Sequence, residues 1–464
     1  MVRGFWRHRS VASVRHAPRG RPCTRPRGGA RYPPPVTADP LLDPTPPAHD
    51  ATPGAALRRN GAFMRVWSAA TVSVFGSFVT RMALPFVAIL TLKAGPFDIA
   101  ILRSLELVAA LLVGLVAGAW VDRLRRRPVM IWADLGRALL LGSIPVAAML
   151  GALSLPQVFA VAAAAAVLTT FFDIADRAYL PSIVDRVDLV RANGALTATS
   201  SAVEFIGFGI AGVLVNLLTA PVAILIDAAS FVFSALLLGS IRRQEPTPPQ
   251  SAGREPVLRE IAEGLRLVAR DPVLRGLVGG SMGLAAMWGI FGATWLLFVT
   301  ETLMLDPAMV GVIAALGGFG SLFGALIAER VVAHFGFGRV ALAALLVAAV
   351  GNLLIPLAPV GVPLLAVVLL LGQQLIGDTA VTVYEVASVS VRQTRVADRH
   401  LGRVNATVRV ATVAAQLAAT LVGGLVAEAV GLRGAAFLAP LGALVGAVAL
   451  AATPARTLRT ATDR

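Results

Sequence analysis

Twelve apolar runs, each about 20–26 residues long, decide what this chain can fold into. A helix of about 20 apolar residues crosses the roughly 30 Å hydrocarbon layer of a bilayer. Because 56% of the 464 residues are hydrophobic and only 14% are charged, too little polar surface remains for soluble domains. The sequence therefore predicts an all-α membrane protein with twelve transmembrane helices. The runs lie at 66–92, 97–121, 128–150, 156–177, 195–218, 221–241, 274–299, 308–328, 338–358, 362–387, 404–428 and 434–453.

Arginine is concentrated in alternate loops, after the even-numbered runs. By contrast, the loops at 151–155, 219–220 and 358–361 carry no charge. Since arginine-rich loops stay on the cytoplasmic side, we expect both termini to be cytoplasmic in a bacterial inner membrane. The arginines in these loops include Arg123, Arg125, Arg126, Arg127, Arg186, Arg191, Arg330, Arg339, Arg392, Arg395, Arg399 and Arg403.

The first sixty residues differ from the rest of the chain. They contain eleven arginines and a proline-rich stretch without apolar periodicity, so they cannot bury a core. Binding of this segment to anionic lipid or to nucleic acid is an alternative role. Because much of the net charge of +15 lies in this segment and not in the apolar body, the charge does not indicate a nucleic-acid-binding fold. The predicted organisation is a disordered cationic cytoplasmic tail (1–60), an N-terminal bundle (61–242), a linker with an amphipathic helix (243–273), a C-terminal bundle (274–454) and a short cytoplasmic tail (455–464).

The two sets of six runs are related by a repeat. Gly114 and Gly118 in the second run match Gly320 and Gly324 in the eighth, and further matches follow in the same order at offsets of 205–212. Each set has the same orientation, so the repeat is parallel. Transporters built from two related six-helix bundles show this arrangement. The further matches are Asp173 with Asp378, Tyr179 with Tyr384, Arg191 with Arg403 and Gly212 with Gly424.

Three segments resemble a known family. Residues 118–127 (GAWVDRLRRR) resemble the signature of the major facilitator superfamily between its second and third spans. Residues 188–193 (DLVRAN) and 225–231 (LIDAASF) are similar to its enterobactin-exporter and macrolide-efflux branch. The resemblance implies a secondary transporter that works by alternating access, usually as a proton-coupled exporter of drug, macrolide or siderophore type.

Alternative functions stay open at this point. An importer or facilitator could share the fold, and so could a membrane sensor or scaffold that has lost transport. Phe208 stands where the antiporter signature of the family has proline. We expect no enzyme activity, cofactor or metal, and the predicted partners are a small-molecule substrate, protons and the lipid bilayer, with no nucleic acid and a monomeric chain. Substrate identity, direction and coupling ion are not readable from the sequence.

The loop after the second run is the candidate conformational gate. A carboxylate between a close-packing glycine and several arginines can form contacts that break when the two halves rock. Positive-inside topology alone would also account for the arginines. The gate candidates are Gly118, Asp122, Arg123, Arg126 and Arg127.

Four charged residues inside the runs are candidates for proton coupling: Glu204, Arg81, Asp227 and Asp378. A carboxylate at membrane depth must be protonated, paired or facing a cavity. Glu204 is the central one, and a structural ion pair with Arg81 is the alternative to a coupling role. For Asp227, bonding to a neighbouring helix is the favoured interpretation, whereas Asp378 and Gln374 form a polar stripe that faces a cavity or the other half.

Aromatic stripes indicate the chemistry of the cargo. The first, fourth, seventh and tenth runs line the cavity in the resembled fold, and an aromatic lining there predicts an amphipathic or hydrophobic cargo. Lipid contact or internal packing would produce the same stripes. The candidate lining residues are Phe75, Phe78, Met82, Gln374, Trp288, Phe291 and Trp295.

Overall fold

The computed structural model describes residues 57, 59–121, 124–242, 245 and 257–459, and these contain helices and turns but no β-strand. Twelve of the thirteen α-helices in this part of the chain coincide with the predicted runs, and α7 lies in the linker. The helices are α1 (Gly61–Phe86), α2 (Pro96–Val121), α3 (Arg126–Met149), α4 (Leu155–Ile183), α5 (Leu189–Leu218), α6 (Ala220–Gly239), α7 (Val257–Arg270), α8 (Pro272–Leu297), α9 (Pro307–Phe335), α10 (Phe337–Leu353), α11 (Pro363–Arg395), α12 (Asp398–Ala436) and α13 (Ala439–Ala451).

Not every helix is long enough by itself to span a bilayer. In the described part of the chain, eight helices have the length and hydropathy of a span, and the bent helix α5 makes a ninth if it is counted as one. Helices α10 and α13 are apolar but shorter. Several helices run beyond the predicted apolar runs, since backbone hydrogen bonding continues past the hydrocarbon layer: α11 reaches Arg395 and α12 begins at Asp398.

The same helix pairs pack together in each half of the molecule. In the N-terminal half α1 contacts α5 and α6, α3 contacts α4 and α6, and α2 contacts α4. In the C-terminal half α8 contacts α12 and α13, α10 contacts α11 and α13, and α9 contacts α11. Each contact therefore has its counterpart seven helices later, which confirms the predicted parallel repeat of two six-helix bundles.

The starts of α1 and α8 show the repeat at atomic detail. Asn60 caps α1 by accepting hydrogen bonds from the backbone N–H groups of Ala62 and Phe63, each at 3.1 Å. Asp271, 211 residues later, caps α8 by accepting from Val273 at 2.8 Å and from Leu274 at 3.4 Å. Both helices also end in a π-helical turn, at Val87–Thr91 and Phe298–Thr302.

Six turns with left-handed backbone define one face of the bundle, here termed the arginine-poor face. They pair at offsets of 210–212 between the halves, so the repeat extends to backbone conformation. In these six turns the residues with positive φ are Lys93 and Met304, Gly151 and Gly361, and Thr219 and Gly431; Gly336, between α9 and α10, also has positive φ but does not belong to this set. The opposite ends of the helices form the arginine-rich face, which carries residues such as Arg127 and Arg395.

Among the described residues, the buried hydrophobic core joins the two halves only at the arginine-poor face. There, side chains of both halves form one buried cluster that includes Phe86 of α1, Leu102 of α2, Phe298 of α8 and Ile313 of α9. Towards the arginine-rich face, each half has a separate core built from its own helices. The space between the halves therefore closes at the arginine-poor face.

Close contacts between helices of the two halves stabilise the closed arrangement at the arginine-poor face. A Cβ on Gly212 of α5 would lie only 2.8 Å from the Cα of Gly311 of α9. At the equivalent contact, a Cβ on Gly424 of α12 would lie 2.6 Å from the Cβ of Ala100 in α2. Because only glycine fits such contacts, these two positions let the halves touch backbone to backbone.

Candidate functional site

A cavity of about 450 Å³ lies between the two halves. Its wall combines α1, α2 and α5 of the N-terminal half with α8, α9 and α11 of the C-terminal half. It brings together eight of the residues singled out in the sequence: Arg81, Met82, Glu204, Trp288, Phe291, Trp295, Gln374 and Asp378. Glu385 of α11 completes the acidic part of the wall.

Three aromatic rings of α8 form the apolar part of the wall. The rings of Trp288 and Phe291 meet edge to face with centroids 4.9 Å apart. The rings of Phe291 and Trp295 stack at 5.3 Å. This continuous surface, together with Met82 opposite, suits contact with a flat or apolar ligand.

The polar part of the wall lies on α11. Gln374 and Asp378 are buried against α9, where Gly317 leaves room for their side-chain tips. A Cβ on Gly320 would lie 2.6 Å from the carbonyl oxygen of Gln374, and Gly324 makes an equally close approach to α11. The glycine motif of α9 thus packs against α11, whereas Gly114 of α2 makes only an ordinary contact with α4.

Glu204 and Arg81 face the same cavity, and both are exposed to it. Among the described residues, no carboxylate lies within ion-pair distance of Arg81, and Glu204 makes no ion pair. The Arg81 guanidinium instead lies 4.9 Å from the centre of the Phe78 ring. The ion pair considered as the alternative role of Glu204 is therefore not formed in this conformation.

Two of the aromatic candidates lie in the protein interior. Phe78 is buried and packs edge to face on Phe208 with centroids 4.9 Å apart, and Phe75 packs against the shared core. Neither residue is part of the cavity lining. Helical spacing placed them on one stripe with Met82, but the close approach of α5 at Gly207 covers the stripe around Phe78.

Asp227 of α6 lies away from the central cavity. Its side chain is 1% exposed, and it accepts a hydrogen bond of 3.0 Å from Ser230. Both side chains pack against Gly76 of α1, where any Cβ would collide with them. Asp227 therefore contacts a neighbouring helix, which is the interpretation that the sequence favours.

A second chamber of about 420 Å³ lies beside the central cavity and shares Arg81 and Arg103 with it. Its wall contains residues that sequence reasoning missed, above all Arg137 of α3 and Arg409 of α12. Arg137 forms a buried ion pair with Asp134 one turn earlier. Opposite charges in the middle of an apolar run were the available signal for this pair.

The gate candidates are only partly within the described residues. Asp122 and Arg123 lie outside the described residues, and so does the packing around Gly118. The backbone N–H groups of Arg126 and Arg127 donate to the carboxylate of Glu245, at 2.8 and 3.2 Å. Glu245, just beyond α6, therefore caps the start of α3, where an anion is favoured by the helix dipole. No pattern in the sequence singled out Glu245.

Arg127 also holds the loop to its own half. Its Nε donates to the carbonyl oxygen of Leu238 at 2.8 Å, and its Nη2 donates to that of Gly239 at 2.5 Å. In this conformation Arg126 and Arg127 thus fix the start of α3 to the end of α6, and these hydrogen bonds stay within the N-terminal part of the molecule.

Comparison with known proteins agrees with this architecture. Residues 66–296 match the family model of the Major Facilitator Superfamily. The multidrug efflux pump Tap of Mycolicibacterium fortuitum is 31% identical over 226 residues, which is 47% of this chain but only 55% of Tap. The uncharacterized MFS-type transporter YfiS of Bacillus subtilis (strain 168) is 24% identical over 81% of this chain and 88% of its own length.

Solved structures share the fold at low sequence identity. The nucleoside transporter NupG aligns with a TM-score of 0.67 at 16% identity, over 85% of this chain and 98% of NupG. A bacterial homologue of the iron transporter ferroportin, solved in an inward-facing state, aligns with a TM-score of 0.66 at 16% identity, over 84% and 98% of the two chains. The twelve-helix arrangement, the match to the Major Facilitator Superfamily model over residues 66–296 and these similar proteins support a membrane-embedded protein of transporter type with the major facilitator fold, and not an enzyme.

Proposed function

We propose that this protein is a secondary active transporter that exports small amphipathic or hydrophobic molecules by alternating access. One observation carries the proposal: helices of both halves line a single cavity, which a shared core closes at the arginine-poor face. Rocking of the two halves about such a cavity exposes it to each side of the membrane in turn. A cargo bound there contacts both halves and so links its own movement to theirs.

The direction of transport follows from the proposed orientation. If the arginine-rich face is cytoplasmic, as positive-inside topology favours, the described conformation receives cargo from the cytoplasm. Both termini are then cytoplasmic, in the inner membrane of a bacterium, and the monomer holds a complete cavity. The similarity to the efflux pump Tap supports export, although it covers about half of that protein.

The aromatic wall supports the proposed class of cargo. Trp288, Phe291 and Trp295 offer a continuous apolar surface, and Gln374 offers a polar group opposite. Drugs, macrolides and siderophores combine apolar bodies with hydrogen-bonding groups. We therefore assign the protein to efflux of such compounds, in the manner of the enterobactin-exporter and macrolide-efflux branch.

Export against a gradient needs an energy source, and we propose proton entry. Glu204 lines the central cavity near the middle of its helix and is exposed to it, so rocking can expose it to either side. Asp378 is the second candidate, whereas the enclosed position of Asp227 suits a structural role.

Uptake into inside-out vesicles tests the proposal, because an exporter moves cargo from the medium into the lumen of such vesicles. The vesicles contain the full-length protein, and labelled tetracycline, erythromycin and a catecholate siderophore are offered outside. Acidification of the vesicle lumen should drive accumulation of at least one compound, and a protonophore should abolish it. Vesicles without the protein are the control. Accumulation under the opposite gradient only would indicate an importer, and passive equilibration would indicate a facilitator. Movement of no compound under any gradient would favour a sensor or scaffold.

A further inference from the structure

The second chamber differs from the central cavity in its charge. Five arginines face it from five helices, four in the N-terminal half and one in the C-terminal half. They are Arg81 of α1, Arg103 of α2, Arg137 of α3, Arg177 of α4 and Arg409 of α12. The chamber and the central cavity are adjacent, since Arg81 and Arg103 line both.

Two of these arginines are neutralised within the protein. Arg103 pairs with Glu106 at 3.1 Å, and Arg137 pairs with Asp134 in the interior of the bundle. Arg81, Arg177 and Arg409 are exposed to the chamber, and none has a carboxylate within ion-pair distance among the described residues.

The acids in the chamber do not balance these three cations. Asp173 lies among Arg81, Arg137, Arg177 and Arg409, close enough for electrostatic interaction with each, but it forms no ion pair with any of them. Asp227 is almost fully buried and accepts a hydrogen bond from Ser230. The chamber is therefore left with three available guanidinium groups around one available carboxylate.

Uncompensated arginines at membrane depth are costly and mark functional sites. A guanidinium presents a planar fork of donors that matches a carboxylate, and such charge-assisted pairs are among the strong hydrogen bonds. By contrast, the central cavity is lined by the acids Glu204, Asp378 and Glu385 beside Arg81 and Arg103, so its wall holds more acidic than basic side chains. An anionic group entering this space is thus directed away from α11 and into the chamber.

We propose that the chamber binds a carboxylate on the cargo, while the apolar body of the same molecule lies against Trp288, Phe291 and Trp295. The proposal rests on the proposed function in taking the ligand to be the cargo, and it narrows the cargo to anionic amphiphiles. Arg409 belongs to the C-terminal half and Arg177 to the N-terminal half, so a bound carboxylate bridges the two halves.

Calorimetric binding to the purified full-length protein tests the proposal with three probes that share one apolar body. Phenylbutyrate is anionic, phenylbutyramide is neutral and phenylbutylammonium is cationic. The wild-type protein should bind phenylbutyrate at least about tenfold more tightly than either of the others. Arg409→Gln and Arg177→Gln should each weaken phenylbutyrate binding by about tenfold and leave phenylbutyramide binding unchanged.

Two further variants complete the design. Arg409→Lys keeps the charge and should retain most of the affinity for phenylbutyrate. Arg266→Gln removes an exposed arginine of the linker helix α7 and should change none of the three affinities. Unchanged phenylbutyramide binding shows that a variant is folded.

Several results would overturn the proposal. The first is that the wild type does not bind phenylbutyrate, and the second is that it binds all three probes with equal affinity. The third is that Arg409→Gln and Arg177→Gln weaken the binding of all three probes equally. Because binding is measured without a membrane gradient, it separates this proposal from the proposed function. If the protein binds the carboxylate probe selectively but transports nothing in vesicles, only the transporter assignment is contradicted. If it transports cargo but shows no preference for the carboxylate probe, only the anionic site is contradicted.

Discussion

Thr219 and Gly431 adopt the same left-handed backbone conformation 212 residues apart, with φ and ψ of 77° and 153° at Thr219 and of 84° and 161° at Gly431. Thr219 joins α5 to α6, and Gly431 forms a non-helical kink near the end of α12, shortly before α13. Glycine adopts this conformation freely, whereas a β-branched residue is strained there. We expect Thr219→Gly to raise the free energy of unfolding by about 1 kcal/mol, the lower end of such strain energies. Thermal unfolding of the purified protein in detergent measures the change.

The reverse substitution at the repeat-related position is the matched control. Gly431→Thr should lower the free energy of unfolding by about 1–3 kcal/mol, because it introduces the strain that Thr219 carries. A lower stability of Thr219→Gly would show that the larger conformational freedom of glycine in the unfolded chain outweighs the strain.

The fold was largely predictable because its strongest determinants, hydropathy and charge, form local patterns along the sequence. Apolar runs gave the helices, the arginine loops separated the two faces, and the motif of Gly320 and Gly324 with its match in the second run revealed the repeat. The helix ends were less predictable, since Arg395 and Asp398 continue helices outside the apolar runs. The π-turns and the strained Thr219 have no hydropathy signal.

A buried ion pair stabilises the N-terminal half. The Arg137 guanidinium binds Asp134 and lies between two aromatic rings, 4.6 Å from the centre of Phe172 and 4.0 Å from that of Phe231. It thus joins α3 to α4 and α6. We expect Arg137→Gln to destabilise the protein by about 3–5 kcal/mol, because a buried carboxylate loses its partner. The unfolding midpoint in detergent is the measurement.

The double variant separates charge from packing. Asp134→Asn combined with Arg137→Gln should recover much of the lost stability, since it leaves no uncompensated buried charge at the pair. If the double variant is as unstable as Arg137→Gln, the stacking of the guanidinium between Phe172 and Phe231 supplies the stabilisation instead.

The contact between Gly212 and Gly311 should control closure at the arginine-poor face. A valine at position 212 would overlap the backbone of α9, so Gly212→Val should favour conformations that are open at this face. We expect transport to fall by about 5–150-fold, the range that corresponds to 1–3 kcal/mol of conformational bias. Spin labels on cysteines at the exposed positions Leu217 and Met304, with Cys23 replaced by serine, should report a longer distance.

Gly402→Val is the matched control for the closure prediction. A Cβ on Gly402 meets nothing within 4 Å, so this variant should change neither the label distance nor transport. An unchanged distance in Gly212→Val would mean that α5 and α9 adjust locally and that closure depends on other contacts.

The candidate site was predictable in part. Spacing on one helix correctly grouped the aromatic residues of α8, which are neighbours through local geometry alone. The same rule misplaced Phe78, because a helical stripe does not reveal which neighbouring helix covers it. The arginine chamber needs five helices to come together, and no local pattern connects Arg177 with Arg409.

Asp122→Asn tests the gate that the family resemblance implies. Asp122 follows Gly118 and precedes a run of arginines, so its charge can favour one state of the rocking halves. We expect the substitution to weaken transport by about 5–150-fold while membrane insertion and folding stay normal. Vesicle uptake and the unfolding midpoint are measured on the same preparation. Normal transport would leave positive-inside topology as the reason for the charged loop.

The last prediction concerns coupling to protons through Glu204. This carboxylate faces the central cavity near the middle of α5, and Gln416 occupies the repeat-related position in α12. Glutamine is therefore compatible with such a position, and the absence of an ion pair among the described residues indicates that Glu204→Gln will fold. We expect Glu204→Gln to bind cargo and exchange it across the membrane, but to lose accumulation driven by a pH gradient, because glutamine cannot carry a proton. The exposed Glu301, outside the cavity, gives the control Glu301→Gln, which should accumulate cargo normally. Full gradient-driven accumulation by Glu204→Gln would transfer the coupling role to Asp378, whereas unfolding that Arg81→Gln reverses would establish a structural ion pair in another state of the cycle.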